Sequence, residues 1–82
     1  MVKLYVIKSE KNGDLYVGIC LDLNRRLDEH EKGKNRYTKG LRPWKLLHFE
    51  TFSTWESARR QEKYYKSGSG KEKLKFKLKL VP

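Results

Sequence analysis

One cysteine, two prolines and one methionine in 82 residues, with half as many acidic as basic side chains, set the first limits on this chain. A lone Cys20 cannot close an intrachain disulfide or build a cysteine-based zinc site. It fits a reducing compartment, and its simplest role is that of a small buried apolar residue. Long apolar runs are also missing: lysines interrupt every stretch well short of the roughly 18–20 residues a membrane-spanning helix needs, so no membrane role is expected. The first residues do not read as a signal peptide, and a cytoplasmic location is the expectation. No repeat or linker divides the chain, which predicts one domain over residues 1–82, with 74–82 able to fray. A chain this short buries only about 60–65% of the surface it exposes when unfolded, leaving room for one core and one site.

What is abundant is positive charge. Twenty Lys and Arg against ten Asp and Glu give a formal charge of +10, which makes a polyanion the expected partner, nucleic acid ahead of an anionic membrane. Residues 32–42 concentrate it: Lys32, Lys34, Arg36, Lys39 and Arg42 surround Tyr37 with no acid among them. The segment reads either as a solvated surface loop or as a phosphate-tracking loop in which Lys34, Arg36, Lys39 and Arg42 contact phosphates and Tyr37 stacks on a base or sugar.

Residues 3–8 are β-prone, and Asn12-Gly13 is a strong hairpin signal before a return strand at 14–19. A turn centred on Asn12-Gly13 predicts Tyr5 opposite Cys20, Ile7 opposite Gly18 and Ser9 opposite Tyr16. Tyr5 and Tyr16 then share a face, with the empty position of Gly18 between them. Asp22 is a suitable N-cap for a helix ending at Gly33. In that helix Leu23 and Leu27 are four apart, as are Arg26 and His30, so an apolar and a polar pair lie on adjoining stripes.

After Pro43, residues 44–52 read as a third strand, expected to be the central or best-buried one, with His48 a satisfied strand residue rather than a ligand. Ser53-Thr54-Trp55-Glu56 matches a capping box and predicts a helix from Thr54. Within it Trp55, Ala58, Glu62 and Tyr65 recur at helical spacing, placing a carboxylate in an otherwise core-facing stripe. Burying a carboxylate is costly unless a cation, a metal or several donors compensate it. Glu62 therefore pairs with an arginine, such as Arg59, reaches the rim, or serves as a metal ligand. Ser67-Gly68-Ser69-Gly70 is expected to end this helix, and residues 71–80 fit either a strand of period two or a short helix.

These elements, in this order, resemble the GIY-YIG nuclease domain in its small stand-alone bacterial type. The resemblance rests on Leu4-Tyr5-Val6, on Tyr16-Val17-Gly18, on the helix from Asp22 to His30, and on the loop from Tyr37 to Trp44. It continues through Arg60-Gln61-Glu62-Lys63 and on to Gly70, and covers about residues 2–74. It implies an α/β fold, a small three-stranded antiparallel sheet flanked by helices, carrying a divalent-metal-dependent phosphodiesterase site. By motif position Tyr5, Tyr16, Arg26, His30 and Glu62 are the catalytic residues, with Glu62 holding one Mg²⁺ or Mn²⁺ ion. The first motif lacks its glycine, Ile19 stands where some members carry lysine, and no asparagine follows Glu62.

The expected activity is thus endonucleolytic hydrolysis of nucleic acid, DNA ahead of RNA, in repair or structure-selective processing. Arg26 would grip the phosphate with a forked hydrogen bond. Tyr16, ahead of Tyr5, would orient or deprotonate water, and His30 would relay a proton or hold a tyrosine oxygen in place. The competing expectations are a non-catalytic nucleic-acid-binding module and a catalytic subunit that depends on a protein partner for specificity.

Overall fold

Alternate residues of the first strand are apolar on both sides, and this is what makes it the middle of the sheet. In the computed structural model, which describes residues 1–79, β1 (Val2–Ser9) lies between β2 (Leu15–Cys20) and β3 (Trp44–Phe52), antiparallel to both. The helices α1 (Leu23–Glu31) and α2 (Arg36–Lys39) precede β3, and α3 (Trp55–Lys66) and α4 (Gly68–Lys77) follow it. The architecture is the expected small three-stranded antiparallel sheet flanked by helices.

Strand β1 sorts its side chains into two cores. Leu4 and Val6 pack with Val17, Tyr65 and Leu74 beneath α3 and α4, whereas Tyr5 and Ile7 pack with Cys20 and Trp44, backed by Leu23, Leu27 and Leu41. A strand covered on both faces loses its polar alternation. The third strand, expected at the centre, is instead an edge, and Leu46 and Phe49 stay exposed on it. Its length and apolar content misled, because both helical layers close over β1. An extra residue in β3, Leu47, falls where the register shifts between Val6↔His48 and Ile7↔Leu46. This bulge keeps His48 and Glu50 on the Leu4 face.

The hairpin register also differs from the expected one: Tyr5 pairs with Gly18 and Ile7 with Tyr16. The turn takes four residues, 10–13, closed by Gly13 N–H on Ser9 O at 2.9 Å and Ser9 N–H on Asp14 O at 2.8 Å. Ser9 Oγ accepts from the Lys11 and Asn12 amides, and Gly13 takes φ +82°, where a side chain is disfavoured. Because the slip is two residues rather than one, every side chain keeps its expected face. Its consequence is that Tyr5 meets Gly18 directly.

Local chemistry accounts for the helix ends. Asp22 accepts from Arg25 N–H and starts α1, and Gly33 at φ +75° follows its end. Asn35 accepts from the Tyr37 and Thr38 amides, so the presumed loop contains the short helix α2. Thr54 is the N-cap of α3, placing its first residue at Trp55, one later than expected. Ser67 both ends α3 and caps α4, so Gly68, Ser69 and Gly70 open a helix instead of forming a linker. Gly70 is required there because a Cβ would overlap the Tyr64 carbonyl. The helical alternative holds to Lys77, with Leu74 buried. Residues 80–82, the remainder of the strand-or-helix question and of the expected frayed tail, lie outside the described residues.

Candidate active site

Tyr5 points from β1 into the α1 side of the sheet, and its ring crosses directly over Gly18. A Cβ at position 18 would overlap the Tyr5 hydroxyl and ring carbons, so the strand partner of Tyr5 must be glycine. The hydroxyl reaches α1, where it lies 2.8 Å from His30 Nε2 and receives Arg26 Nε–H at 3.3 Å. Spacing explains the pair: Arg26 and His30, one turn apart, present both groups to the same oxygen. On the far side of the imidazole, Nδ1 is 2.7 Å from Thr38 Oγ1 of α2. Tyr5, His30 and Thr38 are 0%, 1% and 0% exposed, yet among the described residues no buried side-chain nitrogen or oxygen lacks a partner. This polar cluster is therefore compatible with a stable core.

Burial governs the protonation of the cluster. It pushes the Tyr5 phenol up to about 12, against the opposing hydrogen bond from Arg26. It lowers the His30 imidazole, and the Arg26 charge adds to that lowering while Glu29 and Glu31 oppose it. Arg26 is held more firmly protonated than usual, first by the Tyr5 oxygen and also by Glu29, which accepts from its Nη1 at 3.0 Å. Its side chain remains 37% exposed, and among the described residues no acceptor engages Nη2. A neutral, buried Tyr5–His30 pair thus supports an anchored cation that still has donors facing outward.

Tyr16 lies on the same face at the edge of the cluster. Its ring centroid is 5.1 Å from that of His30 and 5.7 Å from that of Tyr37, and Asn35 Nδ2 donates to its hydroxyl at 3.4 Å. Half-buried, it opens onto a cleft of about 270 Å³ whose walls include Tyr37, Tyr65, Lys66 and Lys71. Lys66 Nζ lies 5.8 Å from the centre of the Tyr16 ring.

Glu62 is not among the side chains in direct contact with this cluster. It sits on α3, and its carboxylate, 23% exposed, accepts from Lys66 Nζ at 3.2 Å rather than pairing with Arg59, which lies over Trp55. Trp55, Glu62 and Lys66 occupy one stripe of α3, at i, i+7 and i+11. At one end of the stripe Trp55 lines a groove with Arg25 and Arg26, and at the other Lys66 reaches Tyr16. Glu62 lies between these two points of contact. Among the described residues no three His, Cys, Asp or Glu side chains come together to hold a metal. Magnesium nevertheless keeps several waters and takes only one or two protein carboxylates, so the partly exposed Glu62 fits the requirement for one hydrated ion.

The basic residues of 32–42 differ in their partners. Lys34, Arg36 and Lys39 are exposed around α2, together with the ring of Tyr37, and Lys32 pairs with Asp28 at 2.8 Å. Arg42 is committed to the fold, donating to Lys39 O at 2.8 Å and Glu31 O at 3.1 Å, where it caps both helices. His48 is satisfied by Glu50 at 2.8 Å, as expected of a strand residue. Reading the sequence missed Thr38 and Lys66. Asn35, a favourable N-cap ahead of Thr38, was the available signal for α2, but nothing in the spacing connects Thr38 to His30.

Comparison with known proteins places the chain in a family. The model for the GIY-YIG catalytic domain matches residues 1–75. A UPF0213 protein of Staphylococcus epidermidis is 37% identical over 74 residues, covering 89% of each chain. One from Listeria welshimeri is 41% identical over 70 residues, covering 84% of this chain and 77% of its own. The solution NMR structure of the UPF0213 protein BH0048 from Bacillus halodurans superposes with a TM-score of 0.56 at 33% identity, over 90% of this chain and 82% of that one. With a family match across almost the whole length and the fold shared with a solved relative, the chain belongs to the GIY-YIG family, whose domain is that of a nuclease.

Proposed function

We propose that this protein is a divalent-metal-dependent endonuclease that hydrolyses phosphodiesters in nucleic acid, DNA ahead of RNA, in repair or structure-selective processing. The observation that carries this reading is Arg26: two of its nitrogens are fixed by Tyr5 and Glu29, and it remains partly exposed in a groove with Arg25 and Trp55. A guanidinium so held can offer paired donors to a phosphate, which a lysine cannot reproduce. The net charge and the exposed Lys34, Arg36 and Lys39 supply attraction for the polymer, and Tyr37 supplies an aromatic face.

In this mechanism the substrate phosphate binds Arg26, and a water attacks phosphorus while the bond to the leaving oxygen breaks. Tyr16, open to the cleft, accepts a hydrogen bond from that water and orients it, while the proton the water releases and the proton the leaving oxygen takes up are exchanged with solvent. Tyr5, whose hydroxyl is buried with a raised pKa, holds Arg26 instead of acting as the base. Glu62 would hold the Mg²⁺ or Mn²⁺ ion, which when bound polarises the phosphate oxygens and neutralises developing charge. A protein partner that supplies substrate preference is consistent with so small a domain.

One observation favours the alternative of a non-catalytic binding module: the Glu62 carboxylate already engages the ammonium of Lys66. Such exposed pairs are weak, on the order of 0–1 kcal/mol, and a divalent ion would displace the lysine. Purified protein incubated with Mg²⁺ or Mn²⁺ and linear, single-stranded, flapped and junction substrates, as DNA and as RNA, distinguishes the readings. Cleavage by the wild type and its loss in Glu62→Gln, with salt-sensitive binding retained, supports the nuclease. Binding without cleavage favours the module, and cleavage appearing only with cell extract indicates a required partner.

A further inference from the structure

The hydrogen bonds around Tyr5 leave one consistent direction for every proton. Arg26 Nε has only a hydrogen to give, so the Tyr5 oxygen accepts it at 3.3 Å. The phenolic hydrogen is then directed to His30 Nε2, 2.8 Å away, and that nitrogen must be the bare one. In a neutral imidazole the proton resides on Nδ1, which donates to Thr38 Oγ1 at 2.7 Å. The threonine hydroxyl in turn donates to Asn35 O at 3.5 Å. Thr38 is itself fixed: Trp44 Nε1–H donates to its carbonyl at 2.9 Å, and the Asn35 side chain caps the turn that carries it.

We propose that Thr38 is a positioning residue: by accepting the Nδ1 proton of His30 it selects the tautomer in which Tyr5 donates to His30 and accepts from Arg26, fixing the guanidinium. The helix that displays Arg36, Tyr37 and Lys39 to the polymer thereby sets, through its buried side, the orientation of the phosphate-binding cation. With the other tautomer, Nε2–H and Arg26 Nε–H would both point at the Tyr5 oxygen, and the phenolic hydrogen would lose its buried acceptor. The link to phosphate binding rests on the nuclease reading; the tautomer assignment does not.

The test is ¹⁵N-edited NMR of the His30 ring and the Arg26 Nε–H resonance in wild type, Thr38→Ser and Thr38→Val, with cleavage rates on whichever substrate the wild type cuts. The expected result is an Nδ1-protonated His30 and an exchange-protected Arg26 Nε–H in wild type and in Thr38→Ser. In Thr38→Val the ring proton should move to Nε2, Arg26 protection should be lost, and cleavage should fall by about 10- to 100-fold, as when a partner that orients a functional histidine is removed. The wild-type measurement is decisive even if Thr38→Val fails to fold, because an Nε2-protonated His30 there overturns the assignment. Unchanged Arg26 protection and cleavage in a folded Thr38→Val also overturns it. A wild type that cleaves nothing, alone or with cell extract, refutes the nuclease reading and leaves the ring and Nε–H signals to decide this one.

Discussion

Both faces of the central strand β1 are buried, but they differ in chemistry. Beneath α3 and α4, Leu4, Val6, Val17 and Leu74 form an ordinary apolar core, with its polar groups at the margin, where Tyr65 and His48 converge on Glu50. Beneath α1 and α2, the same strand presents Tyr5 to an imidazole and a guanidinium, and the imidazole in turn meets a threonine hydroxyl. Adjacent residues of β1 thus have different surroundings: Leu4 and Val6 close an apolar core, and Tyr5 joins a hydrogen-bonded network that reaches Arg26. Burial alone does not distinguish a core from a site; the distinction lies in whether hydrogen bonds lead outward to an exposed group. On the α1 side they lead to Arg26.

Substitutions on the two faces should separate activity from stability. The largest effect is expected for Arg26→Ala, where loss of the phosphate-binding guanidinium should lower cleavage by about 10³-fold or more, by analogy with other arginines that stabilise phosphoryl transfer. Its unfolding midpoint should change little, because the side chain is partly exposed. Leu4→Ala should do the reverse, lowering stability by about 2–5 kcal/mol while leaving cleavage per folded molecule intact. Denaturation curves paired with initial rates check both. A large loss of specific activity in folded Leu4→Ala would break the separation of the faces.

Acid should also affect the faces in different windows. The folded-state pKa of His30 lies below its ordinary value of 6.5 because burial and Arg26 disfavour the imidazolium, against Glu29 and Glu31. The unfolded chain therefore takes up this proton first, and the contribution of His30 to stability is lost as pH falls from 6.5 through the lower folded value. For Glu50, burial alone would raise the pKa, but hydrogen bonds from Tyr65 and His48, with Lys77 nearby, carry it below 4.5. Its contribution is retained above pH 4.5 and lost below it. Stability measured against pH should show two acid-induced losses, and His30→Gln should remove the one that begins near pH 6.5.

The smallest effect is expected at the exposed basic residues. Arg36→Ala or Lys39→Ala should each weaken binding uniformly across sequences and reduce the salt-dependence slope by about 1. Arg42→Ala should appear mainly in stability, since its donors cap α1 and α2. Binding titrations at several salt concentrations separate these outcomes.

Much of this was legible where chemistry is local. Asp22 and Gly33 bounded α1, and Arg26 and His30 had to share a turn. Tyr5 and Tyr16 kept a common face even though the register slipped, because the slip was even. What was not legible depended on tertiary cover. The apolar content of β3 gave no hint that the helices would enclose β1 instead. The bond from Thr38 to His30 depends on how α2 is placed against α1, which periodicity within each element does not specify, whereas Glu62 and Lys66, four apart on α3, were in reach of each other by spacing alone. The stripe through Trp55, Glu62 and Lys66 became meaningful only once one end was seen to share a groove with Arg26 and the other to lie near the Tyr16 ring.

The most direct test of that convergence is a Mn²⁺ titration followed by NMR line broadening. The account predicts that the Tyr16 ring and Arg26 Nε–H signals broaden together with the residues around Glu62, and that Glu62→Gln abolishes the effect. Broadening confined to the outer surface of α3, with Tyr16 and Arg26 untouched, would contradict it.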